Sequence, residues 1–142
     1  MLKNRLERII EIKEKMMEDK EREIEAEKAQ LDAVSREIQM VDADIDEAYQ
    51  KITAKPLKGN DFTVIRDFIE YLDNSKNALK REKESIEEKV SLLKDELVEL
   101  LKELKMLGTL RTKVLNALKK SSNRREQKLL DDIALRIDEK KI

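Results

Sequence analysis

The sequence of 142 residues has no cysteine, no histidine and no tryptophan, and only two glycines and one proline. Without cysteine the chain can form no disulfide framework and carry out no thiol chemistry. Without histidine as well, only carboxylates remain as strong side-chain metal ligands, which excludes a zinc site. Aromatic residues make up 3% of the chain, too few bulky side chains to fill a compact globular core.

Long apolar runs and catalytic motifs are also missing. No stretch approaches the roughly 20 apolar residues that span a bilayer, and charged residues interrupt the N-terminus where a signal peptide needs a continuous apolar core. There is no glycine-rich phosphate loop and no Ser–His or Cys–His arrangement. Asp131–Asp132 is a lone acidic pair in a helical context. We therefore expect a cytoplasmic protein that is not an enzyme, inserts no segment into the membrane and needs no metal or cofactor.

Charge is abundant and unevenly distributed. Charged residues make up 44% of the chain, with a net charge of −1. Residues 111–142 carry ten basic and five acidic side chains, a net charge of +5, which leaves −6 for residues 1–110. No aromatic residues interleave with the basic ones, so nucleic acid is not the expected partner. A solvated basic face, or a protein partner with an acidic surface, fits better.

The second half of the chain has a seven-residue repeat. One unbroken apolar row is Ile65, Leu72, Leu79, Ile86, Leu93, Leu100, Leu107 and Val114. A second, patchier row is Ile69, Val90, Leu97, Leu104 and Leu118, with Lys76, Lys83 and Arg111 interrupting it. Such heptads keep one stripe of a helix facing one partner helix along a left-handed supercoil.

The first half repeats the pattern. Its main row is Ile10, Met17, Ile24, Leu31, Ile38, Ile45 and Ile52, and its companion row is Leu6, Lys13, Lys20, Glu27, Val34, Val41 and Ala48. A third row, Leu2, Ile9 and Met16, lies on a neighbouring face. This row either packs against the second helix at a different angle or forms a patch for another protein.

Pro56 and Gly59 separate the two helical halves, and Asn60 or Asp61 can cap the second helix. A short link favours antiparallel neighbours. We predict an all-α fold, an antiparallel two-stranded coiled-coil helical hairpin in which the second helix is longer than the first. It would be a single elongated domain over residues 1–142, folded about residue 57. Its parts are helix 1 at about 2–54, a turn at about 55–60 and helix 2 at about 61–137, with a possible break near 108 or 121–123.

Two parts of this hairpin are candidates for binding. About 25 to 30 C-terminal residues have no partner within the chain but keep apolar residues at helical spacing, so they are either a frayed tail or a surface for self-association or a partner. Near the turn lie all four aromatic residues, which either pack at the hairpin tip or anchor a partner. They are Tyr49, Phe62, Phe68 and Tyr71, of which Phe62 is in register with Ile69 on the seam.

Two segments resemble the flagellar export protein FliJ family. They are Asp67-Phe68-Ile69-Glu70-Tyr71-Leu72, just after the mid-chain link, and Glu126-Gln127-Lys128-Leu129-Leu130-Asp131-Asp132-Ile133-Ala134 near the C-terminus. Length and the order of long helix, loop and longer helix also agree. The resemblance implies an antiparallel coiled coil similar to the central stalk subunit of rotary ATPases, acting in flagellar type III export.

The resemblance also implies partners. The end that holds both termini would dock in the hexameric flagellar export ATPase and promote its assembly and activity, while the hairpin would contact the export gate membrane protein and substrate chaperones. The free protein would be a cytoplasmic monomer, peripheral at the membrane-bound export apparatus. For the ATPase end we select Ile9, Met16, Leu118, Arg124, Arg125, Gln127, Leu130, Ile133 and Ile137. For the gate and chaperone side, family positions match Tyr49, Phe68 and Leu72.

Three alternatives stay open from the sequence. One is a purely structural coiled coil that dimerises through its C-terminal helix. Another is a stalk-like subunit of a rotary ATPase. The third is a prefoldin-like holdase, although residues 53–61 are too few and too charged to supply the β-hairpins through which prefoldin subunits assemble.

Overall fold

Two long helices make up the part of the chain that the structure describes. The computed structural model describes residues 2–54 and 58–141, and side-chain surroundings as far as residue 139. Helix α1 runs Leu2–Ala54 and helix α2 runs Gly59–Lys141, and these ranges contain no strand. The two helices pack against each other as a hairpin. The predicted all-α helical hairpin with a longer second helix is therefore confirmed.

Helix α2 begins slightly earlier than the sequence suggests. Its first turn is closed by the backbone N–H of Phe62, which donates to the carbonyl oxygen of Lys58 at 3.1 Å. Asn60 and Asp61 lie inside that first turn rather than at the capping position. The carboxylate of Asp61 still favours the helix, because a negative charge near a helix N-terminus interacts well with the unpaired N–H groups. Residues 55–57, half of the predicted turn at about 55–60, lie outside the described residues.

Helix α2 is also continuous where a break was considered possible. It runs through Gly108 and through residues 121–123 to Lys141. Gly108 does not adopt a positive φ, so its backbone is compatible with the helix. Serine and asparagine cost at most about 0.7 kcal/mol each relative to alanine in a helix interior. These are penalties that lower helix stability without ending the helix.

The predicted heptad rows face the hairpin seam. In the main row of α2 no residue is exposed, and Leu72, Ile86, Leu93 and Leu100 are buried. The best-defined core consists of three buried residues and three partly buried ones packed against them: Val34, Ile86, Val90, Leu31, Ile38 and Leu79. Burial of these side chains is the main favourable contribution to pairing of the helices.

Charged residues that interrupt the heptad rows pair across the hairpin. Five of these residues meet an opposite charge on the other helix: Lys13, Lys20 and Glu27 of α1, and Lys76 and Arg111 of α2. The pairs are Lys13–Glu103, Lys20–Glu96, Glu27–Lys89, Asp42–Lys76 and Glu7–Arg111. Five of the six charged interruptions thus face an opposite charge, whereas Lys83 makes no ion pair with a described side chain. The five pairs favour one register of the two helices over others.

The hairpin consists of two compact units. The central unit is Asp19–Leu97, and the terminal unit is Met1–Glu18 with Val98–Ile142. In both units the residue numbers of each interhelical ion pair add up to 116 or 118. The pairing is therefore antiparallel and centred on residue 58 or 59, one to two residues beyond the predicted centre at residue 57.

Candidate functional surfaces

The polar side chains of the described residues lie at the surface of the two helices. No polar or charged residue among them is buried, and no group of three or more acidic side chains comes together as a metal site would require. Residues 2–54 and 58–141 also contain no helical stretch long and apolar enough to cross a membrane. The features that call for an explanation are exposed apolar side chains.

The largest of these features is the C-terminal part of α2. We call residues 115–141 the overhang, because every side chain from Leu115 to Glu139 is exposed. Its large apolar residues range from 39% exposed at Leu115 to 62% at Leu129 and Leu135. Most helical stability in proteins comes from packing of an apolar face, and a helix that keeps such a face exposed is typical of an interaction surface.

The stripe on the overhang has a defined face. Leu129, Ile133 and Ile137 follow one another at intervals of four, so they project from one side of the helix, with Leu130 at its edge. These four residues are all at least 45% exposed. Leu135 lies on the opposite side, since two residues along a helix correspond to about 200°. Three of the residues selected from the sequence, Leu130, Ile133 and Ile137, thus share one accessible face.

The selected polar residues of the overhang are exposed as well. Arg124 and Arg125 make no ion pair with any described side chain. Gln127 donates a hydrogen bond from Nε2 to Oδ1 of Asp131 at 3.1 Å, within the same helix. The overhang therefore presents free cations about one turn before its apolar face.

Beside the start of α1, the terminal unit has a groove. Leu2, Lys3, Val114, Ala117 and Leu118 line it. Leu118, which the repeat places on the seam, is 52% exposed, so the seam is open to solvent at this groove.

The third row of α1 lies on the same unit. Leu2, Ile9 and Met16 are 68%, 45% and 41% exposed, and Ile12 is 53% exposed. These side chains are exposed rather than buried against α2, and a patch for another protein stays a prediction. The groove residues Lys3, Val114 and Ala117 were not selected from the sequence. The sequence could have indicated these residues, because helix 1 is shorter than helix 2 and the difference predicts an uncovered seam at this position.

A second groove lies in the central unit. Asp44, Glu47, Ala48 and Lys51 of α1 face Val64, Ile65 and Phe68 of α2 across it. Phe68 is 50% exposed and Val64 is 67% exposed, so both present apolar surface to solvent between charged side chains. Val64 was not selected from the sequence, although its position four residues before Phe68 places it on the same helix face.

The remaining selected residues of the central unit do not join this groove. Tyr49 is 53% exposed, but it follows Ala48 by one position and therefore points about 100° away around α1. Leu72 is only 6% exposed and belongs to the buried seam, so its side chain is not accessible to a partner in this conformation. Phe62, expected on the seam, is 45% exposed, since it lies in the first turn of α2.

Three lysines of the interhelical pairs have altered acidity. Hydrogen bonds to Glu96, Asp42 and Glu27 raise the pKa of Lys20, Lys76 and Lys89, respectively, above the usual 10.5. The carboxylate stabilises the ammonium form, which is the ordinary effect of an opposite charge nearby. These pKa shifts result from the ion pairs that join the two helices and do not mark a catalytic acid or base.

Comparison with known proteins gives one match. The family described as Flagellar FliJ protein matches residues 2–140 of the chain. The match therefore includes both helices, both grooves and nearly all of the overhang. No curated protein and no solved structure matches.

Proposed function

Because the chain belongs to the flagellar FliJ family, whose members are non-enzymatic components of flagellar protein export, we propose that it is an adaptor of the export ATPase. In this proposal the overhang and the adjoining groove dock in the ATPase hexamer and promote its assembly and activity. The chain acts by association, without catalysis of its own, while peripheral at the membrane-bound export apparatus. The observation that carries the proposal is the overhang, with every described side chain exposed from Leu115 to Glu139.

The mechanism is one of linked equilibria. A surface formed only when ATPase subunits assemble binds the overhang better than a free subunit does. Binding to the assembled state alone stabilises that state by mass action, by about 2.7 kcal/mol at a concentration one hundred times the dissociation constant. Leu130, Ile133 and Ile137 supply apolar contacts in this arrangement, and Arg124 and Arg125 supply charge. Ile9 and Met16 supply further apolar contacts from α1.

The central groove is the second part of the proposal. Phe68, with Val64 beside it, provides an aromatic anchor of the kind that dominates protein interfaces. We propose that this groove contacts the export gate membrane protein or substrate chaperones. Tyr49 contributes to a separate contact on the other flank of the hairpin. Leu72 then acts indirectly, by holding α2 in the position that presents Phe68.

The experiment is ATP hydrolysis by the flagellar export ATPase of the same organism, with and without this protein. Wild type is expected to stimulate hydrolysis. Ile133→Asp is expected to abolish stimulation, because it places an unpaired charge in a desolvated contact. Leu135→Asp is the matched control: the charge and the segment are the same, but the residue faces the other side of the helix. Equal stimulation by the two variants would contradict docking through the Ile133 face.

Self-association is the competing function that the exposed stripe also suits. A structural coiled coil would cover Leu129, Ile133 and Ile137 with a second copy. Light scattering of the free protein separates the two proposals: a monomeric mass supports the adaptor, whereas a stable dimer that Ile133→Asp dissociates supports the structural coiled coil.

A further inference from the structure

Charge and apolar surface are separated along the length of the overhang. Residues 119–128 contain five basic side chains and one acidic side chain, a net charge of +4, and no large apolar residue. Residues 129–139 contain four acidic side chains and one basic side chain, a net charge of −3. In the described part of the overhang, all large apolar residues after Leu118 lie in this segment. We call these the basic segment and the apolar segment.

This order argues against an anionic membrane as the ligand. Helices that lie on membranes carry basic and apolar residues over the same length, so that one face is attracted to the headgroups while the other inserts. In the overhang the basic segment has no large apolar residue to insert. The apolar segment has a net charge of −3, or −1 with Lys140 and Lys141 that follow it, so it has no net attraction to anionic lipid. Neither segment meets both requirements.

The same order argues against a second copy of the overhang. A parallel pair would set the basic segment against itself, with +4 facing +4. An antiparallel pair that matched opposite charges would set Leu129, Ile133 and Ile137 against residues 119–128, which have no large apolar residue to receive them. Neither of these two arrangements satisfies the charges and the apolar stripe together, and the mass of the free protein tests any other pairing of two copies.

We propose that the overhang fits a protein partner with two successive zones: an acidic collar around residues 119–128 and, beyond it, an apolar socket with a basic rim around residues 129–139. The proposal rests on the proposed function, and there it assigns the chemistry of the surface in the ATPase hexamer. The collar is complementary to the exposed cations of the basic segment. The socket covers the Ile133 face, and its rim pairs with the surrounding carboxylates.

The two zones have separable kinetic consequences. Exposed complementary charges act at a distance and chiefly raise the association rate, with a strong dependence on salt. Desolvated apolar contacts form only on docking and chiefly lower the dissociation rate. The basic segment should therefore control association and the apolar segment should control dissociation.

The test measures association and dissociation rates with the assembled export ATPase at low and high salt. One variant replaces Lys119, Lys120, Arg124 and Arg125 together by glutamine. Its control makes the same change at four exposed basic residues of the central unit: Lys28, Lys80, Arg81 and Lys94. Both lower the net charge by four, so any difference reflects position. A third protein carries Ile133→Ser.

We expect the basic-segment variant to associate about tenfold more slowly at low salt, to lose most of the salt dependence and to change its dissociation rate by less than about threefold. The control should associate within about threefold of wild type. Ile133→Ser should dissociate at least about tenfold faster, with association nearly unchanged. Circular dichroism checks that each variant stays helical.

The outcomes separate this inference from the function on which it rests. Wild type that fails to bind the ATPase at all would refute the proposed function and the two-zone surface with it. Wild type that binds, with equal association rates for the basic-segment variant and its control, would refute the two-zone surface alone. The wild-type protein could instead sediment with vesicles of anionic lipid, and both the basic-segment variant and Ile133→Ser could lose this sedimentation. That result would overturn the choice of a protein partner.

Discussion

Truncation of Ile86 tests whether the hairpin depends on its seam. Ile86 is 6% exposed and packs in the core with Val34 and Val90. Ile86→Ala removes three carbon atoms, about 2.4 kcal/mol at roughly 0.8 kcal/mol per buried methylene. Alanine's higher helix propensity offsets roughly 0.4 kcal/mol, and the cavity left in a two-helix seam adds to the loss. We expect the free energy of unfolding to fall by about 2 to 3 kcal/mol.

The assay is urea denaturation followed by circular dichroism, with Leu92→Ala as the control. Leu92 lies in the same unit on the same helix but is 59% exposed. Its truncation should change the free energy of unfolding by no more than about 0.5 kcal/mol. Equal losses for the two variants would refute the assignment of the heptad row to the seam, since the reasoning depends entirely on their difference in burial.

Three further predictions concern stability and dynamics. Gly108→Ala should raise the free energy of unfolding by up to about 1 kcal/mol in the same urea assay, because alanine has a higher helix propensity than glycine and the added Cβ meets no atom within 4 Å. Destabilisation would show that the glycine is needed for another reason. Lys20, Lys76 and Lys89 have a higher pKa in the folded protein than the 10.5 of the unfolded chain, so their ion pairs stabilise the hairpin fully below pH 10.5 and lose this contribution as the pH rises through the folded pKa values. The midpoint of urea denaturation should therefore fall above about pH 10.5. An unchanged midpoint there would contradict the ion pairs. Amide hydrogen exchange should be faster in residues 115–139 than in residues 79–100, and equal protection would mean that the overhang is already covered in the free protein.

The heptad repeat made most of the fold predictable. A row of eight apolar residues at intervals of seven has one physical solution, a helix paired along that row, and the link with Pro56 and Gly59 selects the antiparallel arrangement. The register was off by one to two residues, because apolar rows fix only which faces meet. The interhelical ion pairs, such as Lys89–Glu27 with Nζ and Oε1 2.8 Å apart, help fix how far the helices slide along each other.

Binding surfaces were less predictable, since exposure depends on what the other helix covers. Leu118 lies on a heptad row but was selected from the sequence as a contact residue for a partner, and it is 52% exposed. Leu72 was selected as a contact residue from the family resemblance alone, but it is buried, as its place in the unbroken heptad row predicts. The overhang was predictable from the different lengths of the two helices, but the sequence alone did not place Val64 and Phe68 in one groove.

The most direct test of the proposed function is site-specific cross-linking to the export ATPase. The chain has no cysteine, so single cysteines at positions 133, 135 and 68 can each carry a photoactivated cross-linker without other changes. We predict efficient cross-linking to the ATPase hexamer from position 133, weaker cross-linking from position 135 on the opposite face, and little from position 68 in the central unit. Cross-linking that is equal at all three positions, or strongest from position 68, would contradict docking through the overhang.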